Sequence, residues 1–224
     1  MKNKLNWLEA ALLLAPFLAI AAFWNKLPAR IPVHWNARGE VDGWASSKPI
    51  EIFILPLIAV AVIALLRVLP SLDPKLQKTL QENHRMHAVV QILRLALALF
   101  FDAIFFVQIA TPLGNTSAGG RVVIWCTLLL MAILGNYMPA LRPNYFVGLR
   151  TPWTLESPAT WRATHRVGGR LMFFGSLLLL VLEFFLSQTV FAFLFVTSMV
   201  LFVVWLFFYS WHYFRTHGTT RETV

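Results

Sequence analysis

Six apolar blocks, each about 20 residues long, constrain this chain more than anything else in it. At 1.5 Å of rise per residue such a block crosses the ~30 Å hydrocarbon layer of a bilayer as one helix. Hydrocarbon offers no water to stray backbone N–H and C=O groups, so a spanning segment must satisfy them internally, and the helix does this. The blocks fall at residues 5–24, 50–70, 88–110, 121–138, 169–187 and 189–213. They predict an all-α fold, a polytopic membrane helix bundle with six transmembrane helices and the lipid bilayer as its first partner. Fusing the last two blocks into one helix of about 45 residues would make a rod about 67 Å long, so a tight hairpin near Ser187-Gln188-Thr189 is expected instead. Composition agrees, with 58% hydrophobic and 13% charged residues and a mean hydropathy of +0.66. The first block follows Lys2 and Lys4 but is too long for a signal-peptide core and lacks a small-x-small cleavage site, so it reads as a retained span.

The formal net charge of +9 does not point to nucleic acid, because the basic residues sit scattered at the ends of apolar runs. That distribution reports topology. With the amino terminus inside, the inner segments hold 14 Lys and Arg, Arg221 included, against five in the outer segments, Lys48 included. Both termini are then cytoplasmic. The single cysteine, Cys126, lies in an apolar run, which rules out a disulfide within the chain and reads as small apolar packing. Two units follow. Residues 1–75 form a two-helix unit with an outer loop at 25–48, and residues 76–224 form a four-helix unit with an inner loop at 136–168.

The inner loop is too aromatic, proline-rich and basic to be a mere solvated tether. Asn136 and Asn144 flank Pro139 and Pro143, giving a rigid path whose backbone groups asparagine side chains can hold. Gly148 permits a tight bend before Arg150. Thr151-Pro152-Trp153-Thr154 reads as extended or turn, because a residue before proline avoids the helical region. Ser157-Pro158 reads as a helix start, with Ser157 capping and Pro158 in the first helical position. In that helix Trp161 and His165 lie one turn apart on one face, and Arg162 and Arg166 lie beside them.

The outer loop is shaped as well. Pro28 and Pro32 favour an extended path, and Gly39 and Gly43 read as turn positions that exploit positive φ. His34, Asn36, Glu40 and Asp42, with Trp35 among them, carry ligand-forming atoms, but their spacing fits no metal motif. The alternative is a compact loop whose polar groups satisfy one another. No metal and no cofactor is assigned.

The inner-loop wording resembles the SdpI family of bacterial membrane proteins. The resemblance rests on Gly135-Asn136, Pro143-Asn144, Gly148-Leu-Arg-Thr-Pro-Trp-Thr154 and Trp161-Arg-Ala-Thr-His-Arg166, followed by Gly168-Gly169. The outer loop, with Leu27-Pro, Ile31-Pro-Val-His-Trp35, Gly39 and Asp42, resembles the short amino-terminal domain of unknown function that commonly precedes it. The resemblance implies a multi-pass inner-membrane protein that protects its producer from a secreted antimicrobial peptide. For the founding member it also implies sequestration of a cytosolic transcriptional repressor. On this reading the outer loop meets the toxin. Arg150, Trp153, Trp161, His165 and Arg166 supply an inner surface that rigidifies the bundle or recruits a partner.

Catalysis finds no support in the residues: no serine has a recognisable elbow or base spacing, and no zinc-peptidase H-E-x-x-H pattern occurs, only His84 and His87 at an interface. Asp102 carries the main rival function. It lies deep in the third block, where a carboxylate costs roughly 2.5–3.5 kcal/mol to insert, so it should face the bundle, either packing there or serving a proton- or ion-coupled transporter. Glu183 and Glu9 are similar acids nearer the span ends.

Overall fold

The computed structural model describes residues 2–46, 50–113 and 116–217. Lys48 and Arg221, both used in the charge balance above, lie outside the described residues. Six helices are long and apolar enough to cross a membrane. They are α1 (Lys2–Phe23), α2 (Glu51–Leu72), α4 (His84–Ala110), α5 (Thr116–Tyr137), α7 (Pro158–Glu183) and α8 (Gln188–His217), with the short α3 (Pro74–Glu82) and α6 (Pro152–Glu156) between them. Six crossings return α1 and α8 to the same end of the bundle. That end, which also carries α3 and α6, is called the inner end here.

Side-chain caps set the starts of α3, α4 and α7 at the inner end. Asp73 precedes Pro74, and its Oδ1 accepts the backbone N–H groups of Lys75 and Leu76, which starts α3. Asn83 accepts from Met86 N–H at 3.0 Å and starts α4. Ser157 accepts from Thr160 N–H and starts α7, as the Ser-Pro pair predicts. The fifth span is therefore longer than its apolar block. It begins at Pro158, eleven residues before position 169, because Trp161, Thr164, His165, Gly168 and Gly169 are buried on one face of a continuous helix. Hydropathy alone stops at the flanking arginines Arg162, Arg166 and Arg170, which are exposed.

Helix α4 is the central post, touching α1 and α2 on one side and α5 on the other, and α5–α7–α8 continue the row. The α5–α7 crossing is close because it is made of glycine: a Cβ on Gly135 would stand 2.6 Å from the Phe173 backbone N and 2.8 Å from the Gly169 carbonyl oxygen. Small residues that let backbones approach are what hold helices together where lipid removes the hydrophobic drive.

Two buried glutamates tie helices together. Glu9 on α1 is 1% exposed, and its carboxylate meets Arg67 Nε of α2 at 2.7 Å and Arg94 Nε of α4 at 3.1 Å. Glu183 at the end of α7 receives the Trp125 indole N–H at 2.8 Å. Arg121 Nε of α5 lies 2.9 Å from its other oxygen, close enough for an ion pair although off-line for a hydrogen bond.

One element departs from pure helix. Arg30–Trp35 (β1) and Val41–Ser46 (β2) pair antiparallel, with Ile31 opposite Ala45 and Trp35 opposite Val41, around irregular register at His34.

Candidate functional site

The inner loop is built around one asparagine. Asn144 is 2% exposed. Its Nδ2 donates to the carbonyls of Arg142 (2.8 Å) and Val147 (2.9 Å), and its Oδ1 accepts the N–H groups of Phe146 (2.9 Å) and Val147 (2.6 Å). All four hydrogen-bonding directions of the amide are used, and the stretch of chain around Pro143 is closed upon it. Tyr145 N–H then donates to Asp73 Oδ2 at 2.7 Å. Asp73, fully buried, thus caps α3 with one oxygen and pins the loop with the other. The Leu-Asp-Pro-Lys pattern reveals the cap in sequence, but nothing local reveals the partner 72 residues away.

The second half of the loop is locked onto α7. Gly148 has φ +120, and a Cβ there would collide with His165 Nε2 and lie 3.2 Å from the Trp161 ring. Glycine is needed for both reasons. His165 stacks on Trp161 with centroids 4.0 Å apart and planes 17° apart. Its Nδ1 lies 2.9 Å from the Trp161 carbonyl oxygen, which can only accept, so Nδ1 carries the proton. Nε2 then accepts the Leu149 N–H at 3.0 Å. One donor and one acceptor describe the neutral Nδ1–H tautomer. Trp161 itself donates its indole N–H to the Leu141 carbonyl at 2.8 Å.

Thr151 and Thr154 correct one expectation. Thr151 is extended, with ψ 162, as a residue before proline should be, but Pro152 then starts the helical turn α6 rather than an extended stretch. Thr151 Oγ1 accepts from Thr154 N–H, and Thr151 N–H donates to Thr154 Oγ1, a reciprocal capping box. The turn is anchored to α8 twice, by a Thr151–Ser210 hydroxyl contact of 3.1 Å and by Trp153 set edge-on to Phe207 at 4.9 Å. Arg150 donates to the Tyr145 carbonyl at 2.7 Å across the loop.

The five residues expected to supply an inner surface therefore divide. Trp161 is 0% and His165 1% exposed, packed inside the protein by stacking and hydrogen bonding, and neither offers itself to a partner. Arg150 and Arg166 are exposed and Trp153 is half-buried. Asn136 ends on the exposed side of the last turn of α5.

At the outer end the hairpin turn is also asparagine-centred. Asn36 Oδ1 accepts the N–H groups of Arg38 (2.8 Å) and Glu40 (3.1 Å), and Gly39 has φ +73. Gly43, by contrast, sits within β2 without positive φ. It is glycine because a Cβ would stand 2.8 Å from the His34 Cβ opposite. His34 Nδ1 pairs with Asp42 at 2.5 Å, while Asn36 and Arg38 both donate to Glu40. The four ligand-capable residues are thus drawn into two separate contacts, and among the described residues no three His, Cys, Asp or Glu side chains converge as a metal site would require. The Asn36 amide, and next the Arg38 guanidinium, hold the exposed Glu40 carboxyl below its ordinary range. The tip of the hairpin is seated on the bundle, with Gly39 against Gln188 of α8 and against Gly120 of α5, and Trp35 against Gly119. Val33 (51% exposed) and Trp44 (43%) stay open to solvent or lipid headgroups.

Within the spans Asp102 is 5% exposed and has no hydrogen-bond or ion-pair partner among the described residues. Glu183 differs, being held by Trp125 and Arg121. Glu9 with Arg67 and Arg94 is the larger cluster, and charge-by-charge reading of separate spans did not pair them. The available signal was an acid and two bases, all near inner span ends.

Six apolar helices with a glycine-packed crossing and tied polar ends define a multi-pass protein of the plasma membrane. The SdpI/YfhL protein family is matched over residues 140–210, which run from the inner loop through α8. A domain of unknown function, DUF1648, is matched over residues 11–60, which take in most of α1, the hairpin and the start of α2. The chain thus resembles the SdpI family over its inner loop and last two spans, preceded by a region similar to that amino-terminal domain. It is similar to the Immunity protein SdpI of Bacillus subtilis (strain 168), with 25% identity over 223 residues, covering 97% of this chain and 100% of that protein. No solved structure matches it significantly.

Proposed function

We propose that this chain is a membrane immunity protein that protects the cell producing it from a secreted antimicrobial peptide. The observation that carries this reading is the end-to-end similarity to a protein named for immunity, with both the hairpin and the inner loop inside the matched regions. Cytoplasmic termini, from the charge balance, put the hairpin outside, where a secreted peptide arrives. Val33, Trp44, His34 and Asp42 form the surface it would meet, since aromatic and apolar groups beside a polar pair suit an amphipathic peptide. The inner loop, held by Asn144, Gly148, Thr151, Pro152 and Thr154, is the rigid opposite end. Arg150, Arg166 and Trp153 are the groups there that a cytosolic repressor could contact, in a signalling role. The protein is read as a binding protein and not as an enzyme, and direct contact with nucleic acid forms no part of this reading.

The test is protection of toxin-exposed cells by Arg150→Ala/Trp153→Ala and by Val33→Ser/Trp44→Ser, with membrane abundance measured alongside. Loss of protection at normal abundance is expected for both. Full protection by both would sink the assignment.

A second reading, ion-coupled transport, is favoured by one observation: Asp102 is buried without a partner among the described residues. Asp102→Asn in reconstituted vesicles tests it, and unchanged proton or ion flux removes the carboxylate from function.

A further inference from the structure

A cleft of about 530 Å³ opens at the inner end between the start of α4, the end of α5 and the first turns of α7. Arg85, Arg142, Arg162 and Arg166 line it, with Asn83 and Asn136 beside them. Among the described residues lining it there is no carboxylate. The four arginines come from three separate places: the first turn of α4, the loop after α5, and two successive turns of α7. Arg85, Arg142 and Arg166 take part in none of the salt bridges found in the described residues, which are made by other bases. Like charges gathered at one concavity repel one another, and the fold keeps them there although Glu9 and Glu183 show that it pairs arginine with carboxylate elsewhere. The bulk of the remaining wall is apolar, with Val89 and Ile92 on the flank of α4 that continues into the span.

We propose that this cleft binds a phosphate-bearing anion. A planar guanidinium presents paired N–H donors that match phosphate oxygens, which makes arginine rather than lysine the expected residue at such a site. The start of α4 adds its positive dipole end to the same space. A basic pocket between helices at the headgroup level, open on an apolar flank, fits the phosphodiester of an anionic phospholipid with its acyl chains lying along Val89 and Ile92. Inorganic phosphate shares the same chemistry without the chains. This inference stands independently of the immunity reading.

The full-length protein in phosphatidylcholine nanodiscs decides it by thermal unfolding. Phosphatidylglycerol mixed into the disc, or inorganic phosphate added at constant ionic strength, should raise Tm by roughly 5 °C at saturating ligand. Arg142→Gln/Arg166→Gln should remove that rise and weaken apparent affinity roughly tenfold or more, while Arg142→Lys/Arg166→Lys should restore part of it. A response to the lipid alone identifies a headgroup site, and a response to phosphate alone identifies a free-anion site. Arg38→Gln in the hairpin, outside the cleft, should respond as the natural protein does. If neither probe shifts the natural protein, or if the Gln double variant responds unchanged, the site does not exist. The comparison of phosphatidylglycerol with phosphatidylcholine on the natural protein needs no variant to fold.

Discussion

Replacing Asn144 by alanine should destabilise the whole inner end. The side chain makes four hydrogen bonds to backbone groups of Arg142, Phe146 and Val147. At a net worth of about 1 kcal/mol each they sum to about 4 kcal/mol. Two considerations lower the figure: neighbouring bonds on one side chain are not additive, and some freed groups on a surface loop regain water. A loss of about 2–3 kcal/mol is therefore expected. Asn144→Asp sharpens the test. It keeps the acceptor for the Phe146 and Val147 N–H groups but sets an oxygen, which has no proton to give, against the Arg142 and Val147 carbonyls. It should also lose roughly 1–2 kcal/mol. The assay is equilibrium unfolding of the purified protein in mixed micelles of rising dodecyl sulfate content, followed by tryptophan fluorescence, since Trp153 and Trp161 lie at the loop's attachment points. An alanine variant within about 0.5 kcal/mol of the natural protein, or full stability with aspartate, would refute the claim that this amide organises the loop.

Gly148→Ala forces an L side chain to φ +120 and drives its Cβ into His165, so it should lose about 2–4 kcal/mol in the same assay and red-shift Trp161 emission. Glu9→Gln leaves Arg94, 12% exposed, without its countercharge and should lose about 3–5 kcal/mol, whereas Arg67→Gln, removing a partner 46% exposed, should lose clearly less; equal losses would contradict the geometry. Gly169→Val places atoms where the Gly135 carbonyl oxygen already stands, and size-exclusion of the purified variant should show loss of the folded species. Because Glu40 is held below its ordinary value of 4.5, its contacts with Asn36 and Arg38 contribute above the unfolded pKa and are lost as pH falls through the lower folded one. Amide resonances of residues 36–40 should therefore keep their native shifts at pH 4.5, and disruption already at that pH would contradict the turn network.

Much of this was legible in the chain. Span number and helical class follow from block length and breakers, because lipid leaves the backbone no alternative. The Ser157 cap and the Trp161–His165 pairing follow from spacing. What escaped was either long-range or compensated. Hydropathy places the start of the fifth span eleven residues late, because it averages exposed arginines with a buried face, and only the Ser157-Pro158 helix start marks the true beginning. In the hairpin an extended entry at Pro28 and Pro32 and the turn at Gly39 are legible, but the strand pairing is not, because two six-residue strands with irregular register give no clean alternation. Gly43 and Gly148 look alike in sequence, yet one answers to a neighbour's Cβ and the other to φ as well. Asp73 goes unnoticed in the sequence: its cap is local to Asp73-Pro74, but its bond to Tyr145 spans 72 residues.

Helix α8 touches the hairpin tip through Gln188 and the inner loop through Phe207 and Ser210. Between Gln188 and Ser210 lie 22 helical steps, about 33 Å of unbroken helix. The protein's two polar ends are thus joined by one stiff strut. A slide or roll of α8 by an ångström would register at both faces of the membrane in the same motion, with no relay of side chains in between.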